Sequence, residues 1–305
     1  MPDRFRRLAW GVLGYTVLVV LWGGLVRASG SGAGCGAHWP LCNGEVVPTA
    51  PGLNTVVEFT HRVMSGLALP AVLVLLWGTF RWTDPGHDGA RGVRKAAVAS
   101  VAFMLLEAAL GAGLVLFEYV AYNPSIARAV WMAAHLVNTF LLLGALALVA
   151  WWASGKAVPR RVAPGRAVAV GAAVVATLVL GAGGAVTALG DTLVLGGGLD
   201  PASDPVVAAL VGMRLYHPLL ACLVLGLVAW AAYSTRGDAR ARPFGRGVLA
   251  LFGVQMGIGL VNVQLLAPIP LQLVHLFVTD LIWIGLVLFA ATALREQEPA
   301  AVPAG

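Results

Sequence analysis

Eight stretches of the chain are long and apolar enough to cross a bilayer, which takes about 20 mostly apolar residues per helix. They cover residues 8–26, 56–80, 96–117, 129–151, 167–189, 207–233, 244–266 and 270–294. Short segments rich in charge, glycine and proline separate them. Trp22-Gly23-Gly24 carries the first stretch onward, and no small-residue cleavage site follows a short apolar core, so this stretch is expected to stay in the mature protein as span 1. The pattern predicts an all-α integral membrane protein.

Composition narrows this further. Of 305 residues, 59% are hydrophobic and 11% charged, against roughly 45–50% and 25% in soluble domains. Intrinsic disorder, a secreted disulfide scaffold and an ordinary cytosolic enzyme are excluded, because each needs polar surface that this chain cannot supply. A net charge of +6 would suggest nucleic acid in a soluble protein; here it reads as a topology signal, and no nucleic-acid partner is expected. Of the 20 Lys and Arg, sixteen fall on one side of the spans: Arg4, Arg6, Arg7; Arg81, Arg91, Arg94, Lys95; Lys156, Arg160, Arg161, Arg166; Arg236, Arg240, Arg242, Arg246; and Arg295. Only Arg27, Arg62, Arg128 and Arg214 fall on the other. The positive-inside rule then puts both termini in the cytoplasm.

Cysteine usage agrees. Cys35 and Cys42 lie in the first outside loop, where an oxidising compartment permits a disulfide and the turn-forming glycines and Pro40 could bring the ends together; two free thiols in a surface loop are the alternative. Cys222, alone in span 6, is expected to be a small buried packing residue.

The chain also repeats weakly. Gly23-Gly24-Leu25-Val26 at the end of span 1 matches Gly183-Gly184-Ala185-Val186 at the end of span 5, and Glu107-Ala-Ala-Leu-Gly111 in span 3 matches Gln255-Met-Gly-Ile-Gly259 in span 7. Each half has an even number of spans, so the copies share one orientation, related by an axis along the membrane normal. The expected architecture is two pseudo-symmetric four-helix bundles: an N-terminal half at 1–153, a cytoplasmic linker at 154–166, a C-terminal half at 167–296 and a disordered tail at 297–305.

Histidines follow the repeat. His61, His135, His217 and His275 occupy spans 2, 4, 6 and 8, each about five to ten residues after its span begins, so all four fall at similar depth toward the outer leaflet. One intramembrane histidine is commonly structural; four at matched depth, one per parallel helix, point to metal or haem ligation. A bare metal wants three or four ligands in one shell. Each half offers one histidine on each of two helices, an arrangement suited to the axial positions of a macrocycle. The halves differ in that Glu58 stands three residues before His61, whereas Arg214 stands three before His217. The first half could therefore handle protons or stabilise developing positive charge, while the second mainly holds a redox centre; alternatively Glu58 is an N-terminal helix residue favoured by the macrodipole. Arg27, Arg62, Arg128 and Arg214 could pair with propionates or simply snorkel. Glu107 and Asp280 fall deep in the membrane and must be paired, neutral or hydrated. His38 and His87 read as solvated loop residues, and no phosphate loop, dinucleotide fingerprint, hydrolase elbow, zinc motif or aspartate-rich diphosphate motif of a prenyltransferase occurs.

Together these residues resemble the haem A synthase family. The resemblance rests on Gly32-x-Gly34-Cys35-Gly36-x-x-Trp39-Pro40-Leu41-Cys42, on Glu58-x-x-His61-Arg62-x-x-Ser65-Gly66, and on the lone histidines of spans 4, 6 and 8. It covers nearly the whole chain in topology, with its sharp motifs in residues 32–66. It implies an oxidoreductase that converts the C8 methyl of haem O to a formyl group by successive hydroxylations, giving haem A for terminal oxidases. By resemblance His61 and His135 bracket the substrate haem, Glu58 serves the oxidation, His217 and His275 ligate a haem b cofactor, and Cys35 and Cys42 form the outer-loop disulfide. Implied partners are haem O, a haem O synthase that supplies it, and an unidentified electron acceptor or donor, in a bacterial cell membrane with the haem-ligand face outward. The oligomeric state is open, a homo-oligomer being compatible with the sequence. Two departures stand out: the loop at 191–204 lacks the second cysteine pair of some members, and His217 is followed by Pro218 rather than Arg, which removes a helix hydrogen bond and is expected to kink span 6. The competing readings are a dihaem b-type electron-transfer protein and a haem carrier.

Overall fold

The computed structural model describes residues 1–82, 89–156 and 164–294. His87, Arg160, Arg161, Arg295 and the expected tail at 297–305 lie outside the described residues, as does most of the expected linker. Among the described residues there are eight α-helices and no strand: α1 (Asp3–Ala28), α2 (Leu53–Arg81), α3 (Ala90–Leu116), α4 (Ile126–Ala153), α5 (Pro164–Asp191), α6 (Pro205–Ser234), α7 (Arg242–Gln264) and α8 (Ile269–Ala293). All eight are long and apolar enough to span a membrane. Each overlaps one predicted stretch, with ends that differ by a few residues.

Local sequence accounts for the starts. Asp204 caps α6 by accepting from the backbone N–H of Val206 and Val207 (2.8 and 3.2 Å), and Pro205 follows at the position where a missing N–H costs nothing. Ser125 caps α4 by accepting from Arg128 N (3.2 Å). Pro218 sits inside α6, within the single helix Pro205–Ser234. The expected loop at 191–204 is shorter than predicted. Helix α5 extends through Asp191 and continues as a π turn, Thr192–Gly196.

Consecutive helices pack side by side within α1–α4 and within α5–α8; α1 also packs on α4, and α5 on α8. The two sets join through α4–α5, α4–α8 and α1–α8, which makes α4 the central helix. In lipid there is no hydrophobic drive between helices, so close packing and interhelical hydrogen bonds must hold this seam. Phe140 on α4 stacks on Trp283 of α8 (centroids 5.3 Å apart, 15° between planes), and Trp283 Nε1 donates to the Phe140 carbonyl at 2.5 Å. A glycine admits the ring, since a Cβ on Gly181 of α5 would stand 2.6 Å from Phe140.

Cys222 is exposed, contrary to the expected burial. The buried face of α6 carries Val224, Val228 and Ala231, whereas Cys222 shares the outer face with Leu219 and Leu223, both more than half exposed. For a helix that faces hydrocarbon on one side, being apolar does not imply being inside.

Trp283→Ala should lower stability by about 3–5 kcal/mol through lost packing, whereas Trp283→Phe should lose less, the hydrogen bond (about 1 kcal/mol) and the packing of one ring. Thermal melting of the two variants in detergent orders them, and equal melting temperatures would remove this seam from the stability argument.

Candidate functional site

Helices α2, α4, α6 and α8 all start at the end of the bundle that bears the Cys35–Cys42 loop, called here the disulfide end. Their histidines follow those starts by about 9–18 Å of helix rise. His61 lies within electrostatic reach of His135, and His217 of His275, so the structure forms two pairs. Each imidazole turns its Cε1 edge toward a glycine of the preceding helix. A Cβ on Gly23, Gly111, Gly184 or Gly259 would stand 3.0, 3.9, 3.1 and 3.3 Å from Cε1 of His61, His135, His217 and His275 in turn. Three of these distances are tighter than ordinary contact, so Gly23, Gly184 and Gly259 are where a side chain would push the imidazole away.

The imidazole nitrogens are disposed alike. Nδ1 of all four is buried without a hydrogen-bond partner, whereas no Nε2 belongs to that set. A polar atom in an apolar interior normally has a partner; of the four Nδ1 atoms only that of His135 has a carboxylate oxygen near it, Glu107 Oε1 at 3.4 Å, and Nε2 of each imidazole is the nitrogen a ligand would take. No group of three or more His, Cys, Asp or Glu suited to a metal ion occurs among the described residues. A largely apolar groove of about 400 Å³, open toward the outer face of α6, lies beside His217, lined by Gly183, Met213 and Leu220 and by the exposed Tyr216, Leu219 and Leu223. Two imidazoles per pair with flanking glycines, and an apolar groove beside His217, fit a haem.

Glu58, only 3% exposed, lies one turn before His61. Its Oε1 accepts from Arg62 Nε (3.1 Å) and Nη2 (2.5 Å), and its Oε2 accepts from the backbone N–H of Cys35 (2.8 Å). Arg62 Nη1 donates in turn to the carbonyls of His38 and Leu41 (2.5 and 2.7 Å). Cys35 and Cys42 are disulfide-bonded, and Asn43 N closes the loop on the Cys35 carbonyl at 2.9 Å. The loop is thus part of the site, since it holds one oxygen of the carboxylate and orients the arginine that holds the other.

The remaining arginines reach across the disulfide end. Arg27 of α1 donates to the Ala188 carbonyl (2.9 Å), Thr192 Oγ1 (2.8 Å) and Gln272 Oε1 (2.7 Å), which ties α1 to α5, its π turn and α8. Arg214 Nε donates to Asp191 Oδ1 at 2.5 Å. Arg128, 2% exposed, donates to the Asn123 carbonyl (3.0 Å) and keeps a buried Nε without a partner. Asp191 escapes a reading of the sequence because it falls in an expected loop.

Deeper in the membrane, Glu107 is paired, as the cost of burying it requires. Its Oε2 accepts from Asn138 Nδ2 (2.5 Å), its Oε1 bonds the Thr139 hydroxyl, and Oε1 stands 3.4 Å from His135 Nδ1. Asn138 and Thr139 also escape the sequence, although Thr139 and Thr279 recur four residues after His135 and His275. Asp280 is fully buried and neither carboxyl oxygen has a partner.

Fold and sequence define a multi-pass helical membrane protein in which His61 lies near His135 and His217 near His275. The chain belongs to the family described as Cytochrome oxidase assembly protein (COX15-CtaA), which it matches over residues 6–287. It is 45% identical to a protoheme IX farnesyltransferase of Thermus thermophilus over 96% of this chain and 49% of that protein. It is 42% identical over 102 residues to a haem A synthase of Halalkalibacterium halodurans, covering 33% of each chain. A haem A synthase of Bacillus licheniformis is 44% identical over 101 residues, 33% of this chain and 32% of its own. The chain spans about half the length of the Thermus proteins it matches.

Thiol labelling with a mass-tagged maleimide under denaturing conditions should add one tag before reduction, at Cys222, and three after it. Three tags before reduction would show that Cys35 and Cys42 are not bonded in the membrane.

Proposed function

We propose that the chain is a haem A synthase, which oxidises the C8 methyl of haem O to a formyl group. The observation that carries this reading is the inequality of two otherwise similar histidine pairs. A buried carboxylate, Glu58, held by Arg62 and by the Cys35 N–H, adjoins His61. At the corresponding place before His217 stands a cation, Arg214, bonded to Asp191.

On this reading residues 1–153 form the substrate half, with His61 and His135 on the haem O iron. Residues 167–296 form the cofactor half, with His217 and His275 on haem b, and the two are related by an axis along the membrane normal. Each hydroxylation breaks one C–H bond of the methyl group and forms one C–O bond to an oxygen from water, releasing two electrons, one proton from the carbon and one from the water; after the second, loss of water leaves the aldehyde. Haem b, when bound, supplies a one-electron redox centre on the way to an external acceptor. Glu58 receives the protons released beside the substrate, and Arg62 with the disulfide loop keeps its oxygens in place. Arg27, Arg62, Arg128 and Arg214 all stand at the disulfide end, where propionates would meet them. Packing of α1 on α4 and of α5 on α8 supports the two-bundle arrangement.

The relatives named haem A synthase support the reading in the third of the chain they share. About half of the Thermus proteins lies outside the match, and we assign the farnesyl transfer in their name to that remainder, because the present chain carries no aspartate-rich diphosphate motif. A haem O synthase would then supply the substrate. We place both termini in the cytoplasm from the arginine bias.

Expression in membranes that make haem O but no haem A, followed by chromatography and mass spectrometry of extracted pigments, should yield haem A or its hydroxylated precursor. Glu58→Ala should abolish conversion while haem remains bound. Only haems B and O in a folded, haem-loaded protein supplied with redox partners would turn the assignment to electron transfer or haem carriage. Reporter fusions at the C-terminus should be active in a cytoplasmic form, such as a fluorescent protein, and silent as an exported phosphatase; the reverse pattern would invert the topology.

A further inference from the structure

We infer that Glu107 is a positioning residue for His135, and that its exchange for Gln255 beside His275 makes the two histidine pairs electronically unequal, with the lower iron potential in the first half. The inference rests on the haem-ligand reading above and adds to it a residue and a direction of electron flow.

Both residues occupy one place in the repeat. Glu107 and Gln255 each precede by four the glycine that faces a histidine, Gly111 for His135 and Gly259 for His275. Each bonds the threonine four residues after that histidine: Glu107 bonds Thr139, and Gln255 Nε2 donates to Thr279 Oγ1 at 2.6 Å. Both threonine hydroxyls also reach the histidine carbonyl, at 3.0 and 2.8 Å. The shared framework makes the chemical difference legible.

In the first half the framework is a carboxylate receptor. Asn138 Nδ2 donates to Glu107 Oε2, while Oε1 lies between Thr139 and His135 Nδ1, 3.4 Å from the imidazole nitrogen. The position matching Asn138 is Val278, which has no donor to offer. In the second half Gln255 spends its amide N–H groups on Thr279 and on the His275 carbonyl (2.9 Å), and its Oε1 stays without a partner, as does His275 Nδ1. Among the described residues no other site histidine has an acid within 4.0 Å of a ring nitrogen.

A carboxylate oxygen at Nδ1 fixes the tautomer that leaves Nε2 for iron and makes the imidazole a stronger donor, as outer-shell carboxylates do for metal-bound histidines. A stronger axial donor favours the ferric state and so lowers the potential. Electrons released in the first half then pass downhill to the second, one iron being oxidised as the other is reduced.

The test uses the full chain purified with its haems and titrated potentiometrically with optical detection. His135→Ala should remove the lower-potential wave and His275→Ala the higher, which assigns them. Glu107→Gln should raise the lower wave by on the order of a tenfold change in the ferric-to-ferrous ratio, ~59 mV for one electron, and leave the upper wave in place. Gln255→Glu should lower the upper wave. Both waves unmoved in both variants at full haem content would overturn the inference while the ligand reading stands. Both waves surviving in both histidine variants would overturn the two together. If Glu107→Gln fails to hold haem, the reciprocal change at Gln255 decides alone.

Discussion

A polar group inside hydrocarbon has no water to bond to, and every arrangement in this structure answers to that constraint. Helices satisfy the backbone. Thr16, Ser100 and Thr177 bond carbonyls four residues back in their own helices, and Trp283 finds the Phe140 carbonyl across the seam. Glu107 is held by Asn138 and Thr139, while Gln255 is held by Thr279 and a carbonyl. Against this background the buried nitrogens without partners are conspicuous, because four of them are Nδ1 atoms of one side-chain type at one end of the bundle. Other unpartnered buried atoms lie elsewhere, at Trp152, Asn262 and Asp280, so it is the repetition of one atom in four histidines that sets the candidate site apart.

The same constraint explains why the charges gather at the disulfide end. Arg27 and Arg128 sit in the last and first turns of their spans and Arg214 between two and three turns into α6, and their long side chains reach polar groups there. Arg27 converts that reach into cohesion by binding groups on α5, its π turn and α8, so the joint between the two helix sets is polar at this end and aromatic deeper down. The loop of residues 29–52 does comparable work on the other flank. Its Cys35 N–H and its carbonyls at His38 and Leu41 are the groups that fix Glu58 and Arg62.

Much of this is legible in the sequence. All eight spans are predicted within a few residues, because lipid demands a length and an apolar content that few other structures need. The histidine pairs, Glu58 and the cysteine pair stand out because such residues are rare in apolar chains. Three features are not legible, each for a physical reason. Cys222 reads as an inward residue, since burial scales assume water outside the protein. Asp191 reads as a loop residue, since its glycine-rich surroundings hide a π turn that prolongs α5. Asn138 and Thr139 carry no signal of their own until the packing of α3 on α4 sets Glu107 against them.

The weak repeat in the sequence has local counterparts in the structure. The glycine facing each imidazole, the threonine one turn after His135 and His275, and the polar residue four before Gly111 and Gly259 are common to the two halves, and they set where the imidazoles stand. What differs is the partner of each imidazole: Glu107 with Asn138 against Gln255 with Val278, and Glu58 with Arg62 against Arg214 with Asp191. Geometry is therefore inherited from backbone packing, which tolerates little change in a close-packed seam. The side chains around it differ in charge and hydrogen bonding: Glu107 is held by Asn138 and Thr139, Gln255 by Thr279 and the His275 carbonyl.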